Sequence, residues 1–175
     1  MKVSILYFSK SGHTKAMAEQ IAYGCKQVEA VQVKVMDIYQ CDASFLQESN
    51  CVIIGTPTYY TGMPSEVKEW LDHESGKYLL GGKLGGAFAT ADYVYGGAEL
   101  AIQGILTHMM FRGMMVYSSG NFCGNPPIHL GPIAIFSGQN NTCPDTSCDS
   151  STTEENIFTI YGKRMAEQAC RLFTV

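Results

Sequence analysis

The sequence predicts an α/β protein: a doubly wound, five-stranded parallel sheet in the order 2-1-3-4-5, with helices on both faces. Three observations carry that prediction. Short apolar runs alternate with segments whose apolar residues recur at helical spacing. Some of the runs are apolar at nearly every position, as strands covered on both faces are. Polar, glycine- and tyrosine-rich connections follow the first, third and fourth runs, where open sheets of this kind hold ligands.

The elements follow in order. Val3 to Phe8 is the first strand, and from Thr14 the period changes, with Met17, Ile21, Cys25 and Val28 on one helical face. Val31, Val33 and Val35 alternate in a second strand ending at Asp37, and Cys51 to Gly55 is a third, apolar throughout. Pro64 suits a first helical position, and Val67, Trp70 and Leu71 give that helix its inward face. Leu84 to Thr90 is a fourth strand whose Gly85, Gly86, Ala87 and Ala89 predict close approach by a helix or a ligand. Glu99 to Phe111 is helical, with Leu100, Ile102, Ile105, Leu106, Met109 and Met110 inward. Met114 to Tyr117 is the fifth strand, followed by a long Gly-, Pro-, Asn- and Ser-rich segment to residue 150. Overlapping capping boxes at Ser151 to Glu155 start a last helix, with Ile157, Tyr161, Met165, Gln168/Ala169 and Leu172 as its stripe. No repeat or linker divides the chain, so one domain over residues 1–175 is expected.

Composition narrows the function. At 46% apolar and 16% charged, the 175 residues are not a disordered chain. Twelve Lys and Arg against sixteen Asp and Glu leave −4, which points to neither nucleic acid nor an anionic membrane. The apolar run after Met1-Lys2 is too short for a secretion signal, and nothing approaches the roughly 18 apolar residues of a membrane span. Seven scattered cysteines fit a reducing compartment, and the expectation is a soluble, cytoplasmic protein.

The three connections carry the chemistry. Ser9-Lys10-Ser11-Gly12-His13-Thr14 runs from a strand into a helix. Its hydroxyls at Ser9, Ser11 and Thr14, its flexible Gly12, His13 and the free amides of the helix start suit a phosphate. It is neither GxxxxGK[ST] nor GxGxxG. After the third strand, Pro57-Thr58-Tyr59-Tyr60-Thr61-Gly62-Met63 offers an apolar wall and a pliable peptide to a flat ring. After the fourth, Thr90-Ala91-Asp92-Tyr93-Val94-Tyr95-Gly96-Gly97 brings paired glycines and two tyrosines. Each stretch alone could be an ordinary polar turn, a surface aromatic pair or a glycine-rich connection. All three in one chain, in this order, describe one ligand site.

Over essentially its whole length the sequence resembles the flavodoxin-like superfamily, whose phosphate loop for FMN is similar to Ser9–Thr14. Gly12-His13, Pro57-Thr58 with Met63, Gly96-Gly97 before Glu99, and the long loop before the last helix look like its NAD(P)H:quinone oxidoreductase branch, the tryptophan-repressor-binding-protein-like flavoproteins. Tyr59-Tyr60-Thr61-Gly62 departs from that branch, which more often carries a basic residue and an aromatic before Gly-Asn. The resemblance implies bound FMN, NAD(P)H as electron donor, and a quinone or similar small molecule as acceptor. The alternative is an electron-carrier flavodoxin without a substrate pocket of its own. A non-redox phosphate-binding module is the third class.

Other residues are weighed beside these. Cys143 and Cys148 match no metal pattern and are expected as free thiols, with a labile disulfide or a metal as alternatives. Cys25, Cys51 and Cys170 are expected in the core, as is Trp70, and His73 and His108 as structural helix residues. His129, in the long loop, is the one candidate offered for a catalytic group, which is otherwise unassigned. No metal is expected. The glycines and the apolar long loop are compatible with a homo-oligomer.

Overall fold

The structure is a computed structural model and describes residues 1–136 and 156–173. The capping boxes at Ser151–Glu155 and the Cys143/Cys148 pair lie outside the described residues. The chain begins with β1 (Lys2–Tyr7), α1 (His13–Lys26) and β2 (Gln32–Asp37). A short 3-10 turn (Ile38–Gln40) and α2 (Ala43–Glu48) lead to β3 (Cys51–Pro57). Next comes α3 (Ser65–Glu69), extended to Lys77 through wider and then tighter turns. After these come β4 (Leu84–Ala91), α4 (Ala98–Phe111), β5 (Met115–Val116), β6 (Ile133–Ile135) and α5 (Ile157–Phe173).

The described strands pair in parallel, in the order β2-β1-β3-β4-β5, as the sequence predicts. The expected fifth strand, Met114 to Tyr117, is shortened to β5, and a sixth strand, β6, lies in what the sequence reads as a long loop. β5 pairs with Leu84 and Gly85, and β6 with Ala89 to Ala91, so both lie along the same edge of β4. Between them the chain leaves the sheet and returns at Gly131, whose missing side chain is required. A Cβ there would sit 2.0 Å from the Ala87 carbonyl oxygen. Pro126, Pro127 and Pro132 conceal this returning strand in the sequence, because proline donates no ladder hydrogen bond.

One core lies between the sheet and α1 with α5, around Phe88, Phe158, Tyr161 and Met165. The other lies under α3 and α4, around Leu46, Trp70, Leu71, Ile102 and Ile105. The small residues of β4 serve these helices. Gly86 lies against the Tyr161 hydroxyl and Gly85 against Met109. α2 has no counterpart in the sequence reading. Six residues are too few for a period to show, and the Asp42 side chain, accepting from Phe45 N at 3.0 Å, starts it.

Some inward assignments change. Leu100 (59% exposed), Met110 (51%) and Leu172 (44%) face outward, and Cys170 is half-buried, while Phe158 takes a core place the stripe omitted. Apolar residues at the margin of a stripe need not face the core. Pro64 has an extended conformation and precedes the helix, which starts at Ser65. Cys25 and Cys51 are fully buried, and burial pushes the Cys25 thiol up to about 12. His108 is braced on α4 by Ser75 Oγ at 3.0 Å from its Nε2. No described helix is long and apolar enough to cross a membrane.

Candidate functional site

The carboxyl ends of β1, β3 and β4 converge, and hydrogen bonds lock them. Pro57 is in register with Thr90, and Thr58 N donates to Thr90 O at 2.8 Å. Thr14, at the start of α1, is buried and pairs its hydroxyl with that of Thr90 at 2.9 Å. The loop after β1 turns at Gly12, whose φ of 92° favours glycine, and Gly12 N donates to Ser9 Oγ at 3.0 Å. No side chain caps α1, and its first turn holds no acidic residue. Its leading amides are therefore free donors beside a positive helix end. Ser11 Oγ lies 3.3 Å from His13 Nδ1, and the His13 ring stacks on Phe136 at 4.0 Å and 7°. Phe136 follows β6 and is held by its own N–H on Ala91 O at 2.8 Å.

The loop after β3 is a tight hairpin. Tyr59 N donates to Gly62 O (2.9 Å) and Gly62 N to Tyr59 O (3.1 Å), with Tyr60 and Thr61 at φ of 48° and 72°. Two consecutive non-glycine residues in the left-handed region are strained, and such strain gathers at ligand sites. The turn is seated on Gly97, the left-handed residue before α4, where a Cβ would lie 2.6 Å from Thr61 O. Lys10 braces the outer side, with its ammonium 2.8 Å from Glu66 Oε1 and 5.4 Å from the centre of the Tyr59 ring. The hydrogen bond from Lys10 holds the Glu66 carboxyl below the usual carboxylate range.

These loops enclose two adjoining clefts. The larger, about 520 Å³, is lined by Thr58, Tyr59, Tyr60, Thr61, Ala91, Asp92, Tyr93 and Gly96. The smaller, about 240 Å³, is lined by Ser11, His13, Pro57, Thr58, Tyr59, Thr90, Ala91, Asp92 and Phe136. Thr58 belongs to both, and its hydroxyl is buried with no hydrogen-bond partner among the described residues. Such a group costs about 1–3 kcal/mol unless something completes it. The smaller cleft offers hydroxyls and an imidazole beside the uncapped helix start, and the larger offers aromatic walls. Together they suit a ligand with an anionic group at one end and a flat body at the other.

Of the residues the sequence singled out, Ser11, His13, Pro57, Thr58, Tyr59, Tyr60, Thr61, Thr90, Ala91, Asp92, Tyr93 and Gly96 line the clefts. Ser9, Gly12, Gly62 and Gly97 shape the turns behind them, and Thr14 is a buried tie. Met63 packs on α4 at Gly104, and Tyr95 stands in solvent beyond the rim. His129 is exposed between β5 and β6 and lines neither cleft. The sequence reading missed Lys10, Glu66 and Phe136. Phe136 would have been found had β6 been read as a strand, since its carboxyl end joins the other three.

Residues 5–126 match the family description of the flavodoxins. A flavodoxin of Clostridium saccharobutylicum is 42% identical over 173 residues, covering 99% of this chain and 100% of that protein. An NAD(P)H dehydrogenase (quinone) of Chromohalobacter salexigens is 28% identical over 205 positions, 98% of each chain. The crystal structure of a flavodoxin, WrbA-like protein from Agrobacterium tumefaciens superposes with a TM-score of 0.72 at 21% identity, covering 97% of this chain and 98% of that one.

Proposed function

We propose that this chain, which belongs to the flavodoxin family, binds FMN in the paired clefts at the ends of β1, β3 and β4 and works as an electron carrier between redox partners. The observation that carries the binding half is the buried Thr58 hydroxyl without a partner, set between the uncapped start of α1 and a tyrosine-walled trough. The residues present fit the cofactor. The α1 amides, Ser11 and His13 would hold its phosphate, and the helix end favours a dianion there. Thr58 would complete a polar edge, and Tyr59 and Tyr93 would shield the ring from water. When bound, the flavin supplies the one- and two-electron chemistry.

Two observations support a carrier. Tyr60 and Tyr93, 102% and 74% exposed, line the trough and face outward as an aromatic rim, a surface suited to a docking partner. The alignment with the Chromohalobacter relative runs over 205 positions, so that relative carries insertions this 175-residue chain lacks. The second reading is NAD(P)H-driven reduction of a quinone, favoured by that relative's name and by the open trough. Anaerobic mixing of the FMN-loaded protein with NADH or NADPH separates them. A carrier keeps its oxidised flavin colour until a flavodoxin reductase is added. Prompt bleaching by either nicotinamide alone, reversed by benzoquinone, would establish the enzyme instead.

A further inference from the structure

A second cavity, about 640 Å³, shares no residue with the two clefts. It lies between the chain leaving β5 and one face of α5. From Ile160 to Arg171 that face runs about 16 Å at the helical rise. The size falls within the range of small-molecule sites. Its charge is distinctive. Lys163, Arg164 and Arg171 line it against Glu167 alone, an excess of positive charge on a chain of net −4. Among the described residues, none of these three cations forms an ion pair.

Arg164 is built in. It is 9% exposed and donates from Nη1 to Pro126 O (2.8 Å) and Ser119 Oγ (3.3 Å), and from Nη2 to Asn125 O (2.9 Å). Those bonds use three of the five guanidinium hydrogens and leave Nε–H and one Nη2–H, a pair whose geometry matches two oxygens of a phosphate. At the mouth, the Phe122 ring is 95% exposed although it lines the cavity. An aromatic face held beside a cationic pocket suits a ligand with both a ring and a charge.

We propose that this cavity is a second ligand site, for a phosphorylated molecule of mononucleotide size whose phosphate sits among Lys163, Arg164 and Arg171 and whose ring lies on Phe122. The test is calorimetric titration of the FMN-saturated protein with AMP, adenosine and inorganic phosphate, so that the loop at Ser9–Thr14 is already filled. AMP should bind with a Kd at or below about 1 mM, phosphate more weakly, and adenosine not measurably. The double variant Lys163→Ala/Arg171→Ala should weaken AMP by roughly tenfold or more, and Phe122→Ala should weaken AMP while leaving phosphate unchanged. Amide NMR shifts on adding AMP should fall in 122–125 and 163–171, a readout that needs no variant. Absence of AMP binding to the wild type, or equal affinity in the double variant, would overturn the proposal. If the protein takes up no FMN, the same titrations on Ser11→Ala keep the two sites apart, because AMP bound at the α1 loop would be weakened there and AMP in this cavity would not.

Discussion

The Thr58 hydroxyl is buried in a residue that lines both clefts, and among the described residues it has no hydrogen-bond partner. In the protein alone it is a cost, and in the proposed FMN complex it would be a contact. Thr58→Val separates these roles because valine keeps the shape and removes the oxygen. The expected outcome is an FMN-free protein as stable as the wild type or slightly more so. FMN affinity should be weaker by about 0.5–1.5 kcal/mol, or roughly twofold to tenfold. Thermal unfolding without FMN and a fluorescence titration with it measure the two halves. Lower stability with unchanged affinity would make the hydroxyl structural. At this scale the sequence located the loop but not the atom. Composition marks Thr58 as a wall residue, while the lack of a partner depends on which groups the folded strand ends bring near it.

The elements that were legible are those whose patterning is local. β1, β3 and β4 are continuous apolar runs, and α1 and α4 have their period and their glycine starts. What escaped is long-range. β6 has three residues, and only their place against Ala89 to Ala91 makes them a strand. The hairpin at Tyr59–Gly62 likewise needs Gly97 beneath it. The contact of α1 with α5 is also non-local and depends on two glycines. A Cβ on Gly24 would lie 1.9 Å from Thr159 O, and one on Gly162 would lie 2.0 Å from Ile21 O. Backbone atoms cannot swing aside, so Gly162→Ala must push the helices apart. The expected cost is about 1–3 kcal/mol, read as a lower denaturant midpoint. Gly76→Ala, whose Cβ would meet only the Arg112 side chain at 3.7 Å, is the control, with an effect within about 0.5 kcal/mol. Equal midpoints for the two variants would mean that α1 and α5 do not meet as described.

For the molecule as a whole, one end of a parallel sheet gathers three loops that are far apart in sequence, and register rather than any motif alone makes them one site. Net charge and the absence of a nucleotide fingerprint narrowed the ligand class from the sequence. The sequence favours the NAD(P)H-driven enzyme with the carrier as alternative, and the proposed function reverses that order, because the choice depends on how open the tyrosine rim is once the chain is folded. In the proposed complex the α1 loop holds the phosphate of a flavin mononucleotide. Titrating the apoprotein with FMN and with riboflavin, which differ only in that phosphate, tests it most directly. The structure predicts that FMN binds more tightly by about tenfold or more, and that Ser11→Ala narrows the difference. Equal affinity for the two flavins in the wild-type protein would contradict it.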